Sequence, residues 1–343
     1  MRKSLAGKLI LLAPFVLVVL FVGSLGVGAS NIKDARKYAE ETLLPLEGIA
    51  GISHSENPPK IIVYVEHEKY RQNVPKKIKG FETEVIVIGK IRSLGLLAQQ
   101  QVGAFYDYGS SVSRTGNVRP IVGGISIGVP EENFGGKMAG TLGLIVVNGS
   151  DAYILSNAHV IAMNRYARFL EPGTAVLQPG TYDGGNINDK VGELYRYIPI
   201  TFGPKGRNYA DAAIAKVVNE IECRVGEVLG SDNRNTTVIS GITDVRIGEM
   251  VSKSGRTTGV TSNTVMATNA TVKVWYTSGK WAAFYDQILV NQPFLDSGDS
   301  GSAVYKQGGE FVGEFVGLAF AGSSKIAVVC KAKYITQGLG ISI

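Results

Sequence analysis

The chain has 343 residues, 45% hydrophobic and 19% charged, with 43 glycines and a formal net charge of +6. The length allows one large and one small domain, and the glycine content with few long amphipathic stretches excludes a mainly helical protein in favour of sheet and turns. No dense Lys/Arg stripe with interleaved aromatics is present, which argues against nucleic acid as a partner.

At the N-terminus, Met1, Arg2, Lys3 and Lys8 precede an uncharged stretch from Leu9 to Ile32. It is long enough to cross a bilayer as a helix of ~20 residues. The positive residues before it favour an N-in orientation. Val27-Gly28-Ala29 also has the small-residue character of a cleavage site. Residues 1–32 are therefore expected to be a signal peptide or a membrane anchor. The membrane is a partner only if this N-terminal hydrophobic helix stays uncleaved. Either way the rest of the chain is expected to be extracytoplasmic, membrane-anchored or secreted.

Residues 33–92 read as a small α/β companion or pro-domain without a catalytic role. Ala35, Tyr38, Ala39 and Leu43 share one helical face between Lys33 and Leu44, and Pro45 ends it. A strand can start at Gly48–Ile52, and β-branched runs follow at Lys60–Val65 and Glu84–Ile88. His54 and His67 sit in polar contexts and are expected to be solvated. Residues 93–118, with Gln99–Gln101, several glycines and Arg114, read as a linker.

From 119 onward, short apolar runs recur between glycine-rich turns. Examples are Leu142–Val147, Ala152–Leu155, Ala212–Val218, Glu249–Ser252, Val272–Tyr276, Gln287–Val290, Ser302–Tyr305, Phe315–Ala319 and Ile326–Val329. This spacing fits paired antiparallel β-barrels. Tyr182–Asp189 concentrates oxygen ligands but departs from the EF-hand pattern, and reads as an ordinary turn before a calcium site. Lys253–Gly259 fails the phosphate-loop glycine spacing and reads as a hairpin turn. Cys223 and Cys330 have no C-x-x-C spacing. One disulfide and two buried thiols both remain open.

Three motifs carry chemistry. Leu155-Ser156-Asn157-Ala158-His159-Val160 places a histidine in an apolar frame, and Tyr209-Ala210-Asp211-Ala212-Ala213 an aspartate in another. Near the C-terminus stands Asp296-Ser297-Gly298-Asp299-Ser300-Gly301-Ser302. A serine needs a base to become a nucleophile, and the base needs a partner that orients it and stabilises its charged form. The glycines let backbone N–H groups converge on a developing oxyanion.

The chain order His159, Asp211, Ser300 and the Gly-Asp-Ser-Gly box resemble the trypsin/chymotrypsin-like serine proteases, in particular compact microbial members, over about residues 119–343. The box reads GDSGS where many relatives have GDSGG, and no reacting group is lost. The resemblance implies a mainly β fold of two antiparallel six-stranded-type barrels, here preceded by the small α/β domain and the hydrophobic helix. It implies a serine endopeptidase acting through an acyl-enzyme on Ser300, with Gly298 and Ser300 N–H groups as oxyanion hole. A non-catalytic binding module on the same scaffold and an esterase-type hydrolase are the alternatives. The partner expected is a protein or peptide substrate, and no cofactor or metal is required. Phe294 and Leu295 are expected at the floor of the specificity pocket, with Ala319 and Gly322 on its sides. No acid stands there, which points to a shallow apolar pocket. In the family the aspartate of the box often pairs with a new N-terminus. Here a cut at Pro120–Ile121, before Ile121-Val122-Gly123-Gly124, would supply one to Asp299, although the Gly-Gly turn also suits the plain start of a strand.

Overall fold

The computed structural model describes residues 31–94, 96–97 and 111–343. The expected signal or anchor segment therefore lies outside the described residues, apart from Asn31 and Ile32. Among the described residues no helix is long and apolar enough to cross a membrane.

The chain is mainly β. Each apolar run marked in the sequence from Leu142 onward falls on a strand. One sheet has the order Leu144–Asn148, Asp151–Ser156, Ala213–Val217, Lys190–Tyr197, Ala175–Leu177, all antiparallel. A larger sheet carries the C-terminal half. Its centre runs Lys280–Asn291, Ile326–Lys331, Val312–Gly322, Ala303–Gly309, Met250–Gly255 and Gly259–Thr277. Branched aliphatic side chains from both sheets, among them Leu144, Ile154, Leu155, Ile214, Val228 and Leu318, meet in one core. A second cluster beneath the larger sheet includes Val251, Val290, Phe294, Leu295 and Val329.

The N-terminal unit begins with the helix Ile32–Thr42, capped by Asn31 Oδ1 accepting from the Lys33 N–H. Its strands Ile49–Glu56, Pro59–Val65 and Phe81–Val87 extend the larger sheet, because Ile49–Glu56 pairs antiparallel with Gly259–Thr277 in the register Gly51↔Val272 and Ile52↔Thr271. Gly51 permits the joint: a Cβ there would lie 2.6 Å from the Thr271 carbonyl oxygen. His54 corrects the sequence reading. The pairing turns its ring inward, its side chain is only 6% exposed, and it lies beside Asn269 and Glu56. His67 is exposed, as expected. The two cysteines are both free. Burial pushes the Cys330 thiol up to about 12, so it stays protonated and unreactive.

Lys273 seals the same joint. Its Nζ donates to the Leu46 carbonyl at 2.9 Å and lies 5.0 Å from the Trp281 ring centre. Burial lowers its pKa from 10.5 to about 8, against a smaller upward pull from Glu66. Between those two values the unfolded chain holds the extra proton, so stability rises with pH across that window. Denaturant midpoints of wild type and Lys273→Met should therefore diverge, with wild type gaining relative to the variant from pH 8 to 10.5 and a constant difference below pH of about 7.

Candidate active site

The smaller sheet brings the histidine and the aspartate to one end. Asp151–Ser156 pairs with Ala213–Val217 in the register Ser156↔Ala213. Asn157 and His159 therefore leave the sheet, through the short helix Ala158–Ile161, where Asp211 enters it. Asn157 Nδ2 donates to the Asp211 carbonyl at 2.7 Å. The Asp211 carboxylate is fully buried. Three donors surround it: the His159 backbone N–H at 3.1 Å, His159 Nδ1 at 2.7 Å and the Tyr276 hydroxyl at 2.6 Å. A buried carboxylate is costly unless it is paired and hydrogen-bonded, and these contacts meet that demand. Burial first, then the Asp211 charge, holds the Tyr276 phenol well above its ordinary pKa, so it remains a donor.

With Nδ1–H committed to the carboxylate, the neutral imidazole presents Nε2 as an acceptor. Nε2 is buried and has no hydrogen-bond partner among the described residues. Ser300 Oγ donates to the Phe320 carbonyl at 3.3 Å and is likewise buried.

The box sits between the sheets, just before strand Ala303–Gly309. Gly298 and Gly301 adopt φ of +91° and +97°, open to glycine and strained for other residues. Strand Met138–Thr141 locks the turn: the Thr141 N–H donates to the Ser300 carbonyl and its hydroxyl to the Gly298 carbonyl, each at 2.8 Å. The same strand reaches the histidine. A Cβ on Gly140 would lie 2.5 Å from Val160 Cγ1 and 3.1 Å from the Ser300 carbonyl oxygen, so the neighbour of His159 and the Ser300 main chain flank one glycine.

Asp299 points the other way. Its carboxylate accepts from the Thr257, Thr258 and Asp296 N–H groups at 2.8, 3.1 and 3.1 Å, and from the Thr258 hydroxyl at 2.6 Å. Lys253 Nζ lies 3.2 Å away, and neither side chain is exposed. Burial lowers the Lys253 pKa while Asp299 opposes that shift. Arg114 is buried nearby, donating to the Ser254 hydroxyl and to the carbonyls of Gly124, Leu229, Gly230 and Gly255. Ile121 is buried in a strand, its N–H donating to Glu222 at 2.9 Å.

A segment of the chain's own N-terminal part crosses this region. Arg92–Ser93 pairs antiparallel with the strand Val312–Gly322, in the register Ser93↔Ala321 and Arg92↔Gly322. The Leu94 carbonyl accepts from the Gly298 N–H at 2.8 Å. Ser93 lines one pocket with His159, Met163 and Tyr276. Adjacent residues of one extended segment thus touch the histidine pocket and the Gly298 amide. Consecutive Cα atoms are only about 3.8 Å apart, which brings the histidine and the box to one place.

Phe294, Leu295 and Ala319 share one apolar cluster, and Leu94 packs against it. A Cβ on Gly322 would lie 3.2 Å from Leu94 Cδ1. Among the described residues no hydrogen bond joins Ser300 to His159: the hydroxyl donates to Phe320 and the ring bonds Asp211. The sequence reading missed Tyr276, Thr141, Lys253 and Leu94. Tyr276 lay inside an apolar run, Lys253 inside a hairpin turn and Leu94 inside a linker. In the Tyr182–Asp189 turn, Asp183 pairs with Arg256 and accepts from Ser126, and Asp189 closes a capping box with Asn186.

No family model and no curated protein matches the chain. Solved structures do. Thermobifida fusca protease A is 17% identical, with 65% of this chain and 97% of that one covered at a TM-score of 0.46. A glutamic-acid-specific serine protease, which uses a histidine triad in substrate binding, is 20% identical over 65% and 100% at 0.47. Nocardiopsis protease is 17% identical over 65% and 99% at 0.46.

Removing the cation at Asp299 should leave a buried charge without its partner. Lys253→Met is expected to destabilise the fold by about 3–5 kcal/mol in equilibrium denaturation.

Proposed function

We propose that this chain is a serine endopeptidase with the two-barrel architecture, acting on protein or peptide substrates. One observation carries the reading: a peptide carbonyl oxygen rests 2.8 Å from the Gly298 nitrogen, beside a histidine whose Nε2 has no partner among the described residues and whose Nδ1 is held by a buried aspartate. That distance suits stabilisation of an oxyanion by a preset amide.

In this reading Ser300 Oγ leaves the Phe320 carbonyl and attacks the substrate carbonyl carbon. His159 Nε2 takes the hydroxyl proton and returns it to the leaving amine. Asp211 keeps the ring in the required tautomer and stabilises the imidazolium. Tyr276, from the other sheet, positions the Asp211 carboxylate. Water, deprotonated by the same imidazole, then hydrolyses the acyl-enzyme. The Gly298 and Ser300 N–H groups form the oxyanion hole, and the apolar cluster at Phe294, Leu295, Ala319 and Gly322 selects the side chain. Lys253 gives Asp299 a cation from within the chain, so no cut before Ile121 is needed to supply one. The uncharged N-terminal stretch and the basic residues before it support an extracytoplasmic location.

A fluorophosphonate probe should label wild type and leave Ser300→Ala unlabelled; a wild type that resists labelling would favour a binding module. Hydrolysis of amides as well as esters separates a peptidase from an esterase. Asp211→Asn should lower kcat by about 10⁴-fold through the wrong tautomer. Tyr276→Phe removes one charge-assisted hydrogen bond and should lower kcat about tenfold with KM unchanged, in steady-state assays on a peptide amide.

A further inference from the structure

Residues Ile91 to Leu94, and Leu96 and Leu97 beyond them, lie across the candidate site as a peptide would. The Ile91 carbonyl accepts from the Trp275 N–H at 3.1 Å. Arg92 and Ser93 form an antiparallel ladder with Gly322 and Ala321. The Leu94 carbonyl takes the Gly298 amide at 2.8 Å, and its side chain packs on the apolar cluster. Beyond Gly95, Leu96 and Leu97 pair antiparallel with Ala139 and Met138, on the strand whose Thr141 N–H holds the Ser300 carbonyl. Both flanks are thus held by main-chain pairing, the usual way an extended peptide is gripped by a sheet. Between them the carbonyl group of Leu94 meets the amide that would stabilise an oxyanion.

From this juxtaposition we infer that the protein cleaves itself in cis at the peptide bond following Leu94, and that its specificity pocket takes leucine or a side chain of similar apolar character. The inference rests on the serine-peptidase reading above. Ser300 Oγ bonds to the Leu94 carbonyl carbon, the bond to the Gly95 nitrogen breaks, and that nitrogen leaves as an amine carrying the proton relayed by His159. Water then releases Leu94 as a free carboxylate and restores the serine. Holding the reacting groups on one chain replaces a bimolecular encounter by a local one, which favours this cut over cuts in other molecules. The pocket fits leucine because Phe294, Leu295 and Ala319 offer no charge to an ionic side chain and Gly322 leaves room for the leucine methyl.

The test uses the full chain and reads N-terminal sequence and intact mass after purification. Wild type should yield a new N-terminus at Gly95, Ser300→Ala should remain uncut there, and the rate should not depend on protein concentration. Leu94→Asp should slow the cut at least about tenfold, because a carboxylate would be desolvated in the apolar pocket. A wild-type chain that a fluorophosphonate labels at Ser300 yet stays intact after Leu94 overturns the self-cleavage while leaving the peptidase reading standing. A Gly95 end that also forms in Ser300→Ala, or a rate that rises with concentration, overturns it as well. A chain neither labelled nor cut removes the peptidase reading and this inference with it.

Discussion

A carboxylate without access to water sets the terms for this site. Asp211 is fully buried, and its two oxygens are satisfied only if His159, Tyr276 and the His159 main chain stand in fixed places. Those partners come from both sheets, since His159 follows the strand Asp151–Ser156 and Tyr276 lies in Gly259–Thr277. Leaving the charge unpaired costs several kcal/mol, so the two halves must meet in one arrangement. The T-shaped contact of the Tyr276 and His159 rings, 6.0 Å between centres, adds a packing constraint in the same direction. Orientation of the imidazole thus follows from a buried charge that has to be paired.

The serine loop is governed by a second buried charge of the same kind. Asp299 turns away from Ser300 into a nest of main-chain amides and toward Lys253. This leaves the Gly298 amide free to face a carbonyl oxygen. In the proposed reaction an oxyanion needs donors set beforehand, and the Lys253–Asp299 pair would supply that setting from the interior. In the proposed reaction the two buried carboxylates have different tasks, one orienting the base and the other shaping the loop that carries the nucleophile.

Much of this was legible in the sequence for a simple reason. Strands of β-branched residues between glycine turns report their own conformation, and the runs from Leu142 to Val329 all proved to be strands. The order His159, Asp211, Ser300 and the flanking small residues are local signals too. What escaped depends on pairing between distant segments. Tyr276 sits in an apolar run that says nothing of where its hydroxyl points. Lys253 reads in the sequence as part of a hairpin turn; it lies inside the strand Met250–Gly255, and its cation meets Asp299 only after folding. Leu94 belongs to a stretch of linker-like composition, and only the register with Ala321 reveals its place. His54 failed in the opposite sense, since polar neighbours in sequence did not keep its ring in water.

The joint at Gly51 has a bearing on solubility. Near Val272 the strand Gly259–Thr277 has Lys280–Asn291 on one side and Ile49–Glu56 on the other. Without the N-terminal unit, that second side would present unpaired N–H and C=O groups beside Thr271, Val272 and Val274. Open β edges of this apolar kind recruit strands from other molecules and begin aggregation. The small unit therefore works as a guard for the sheet border, a service that does not depend on its covalent attachment to the rest of the chain.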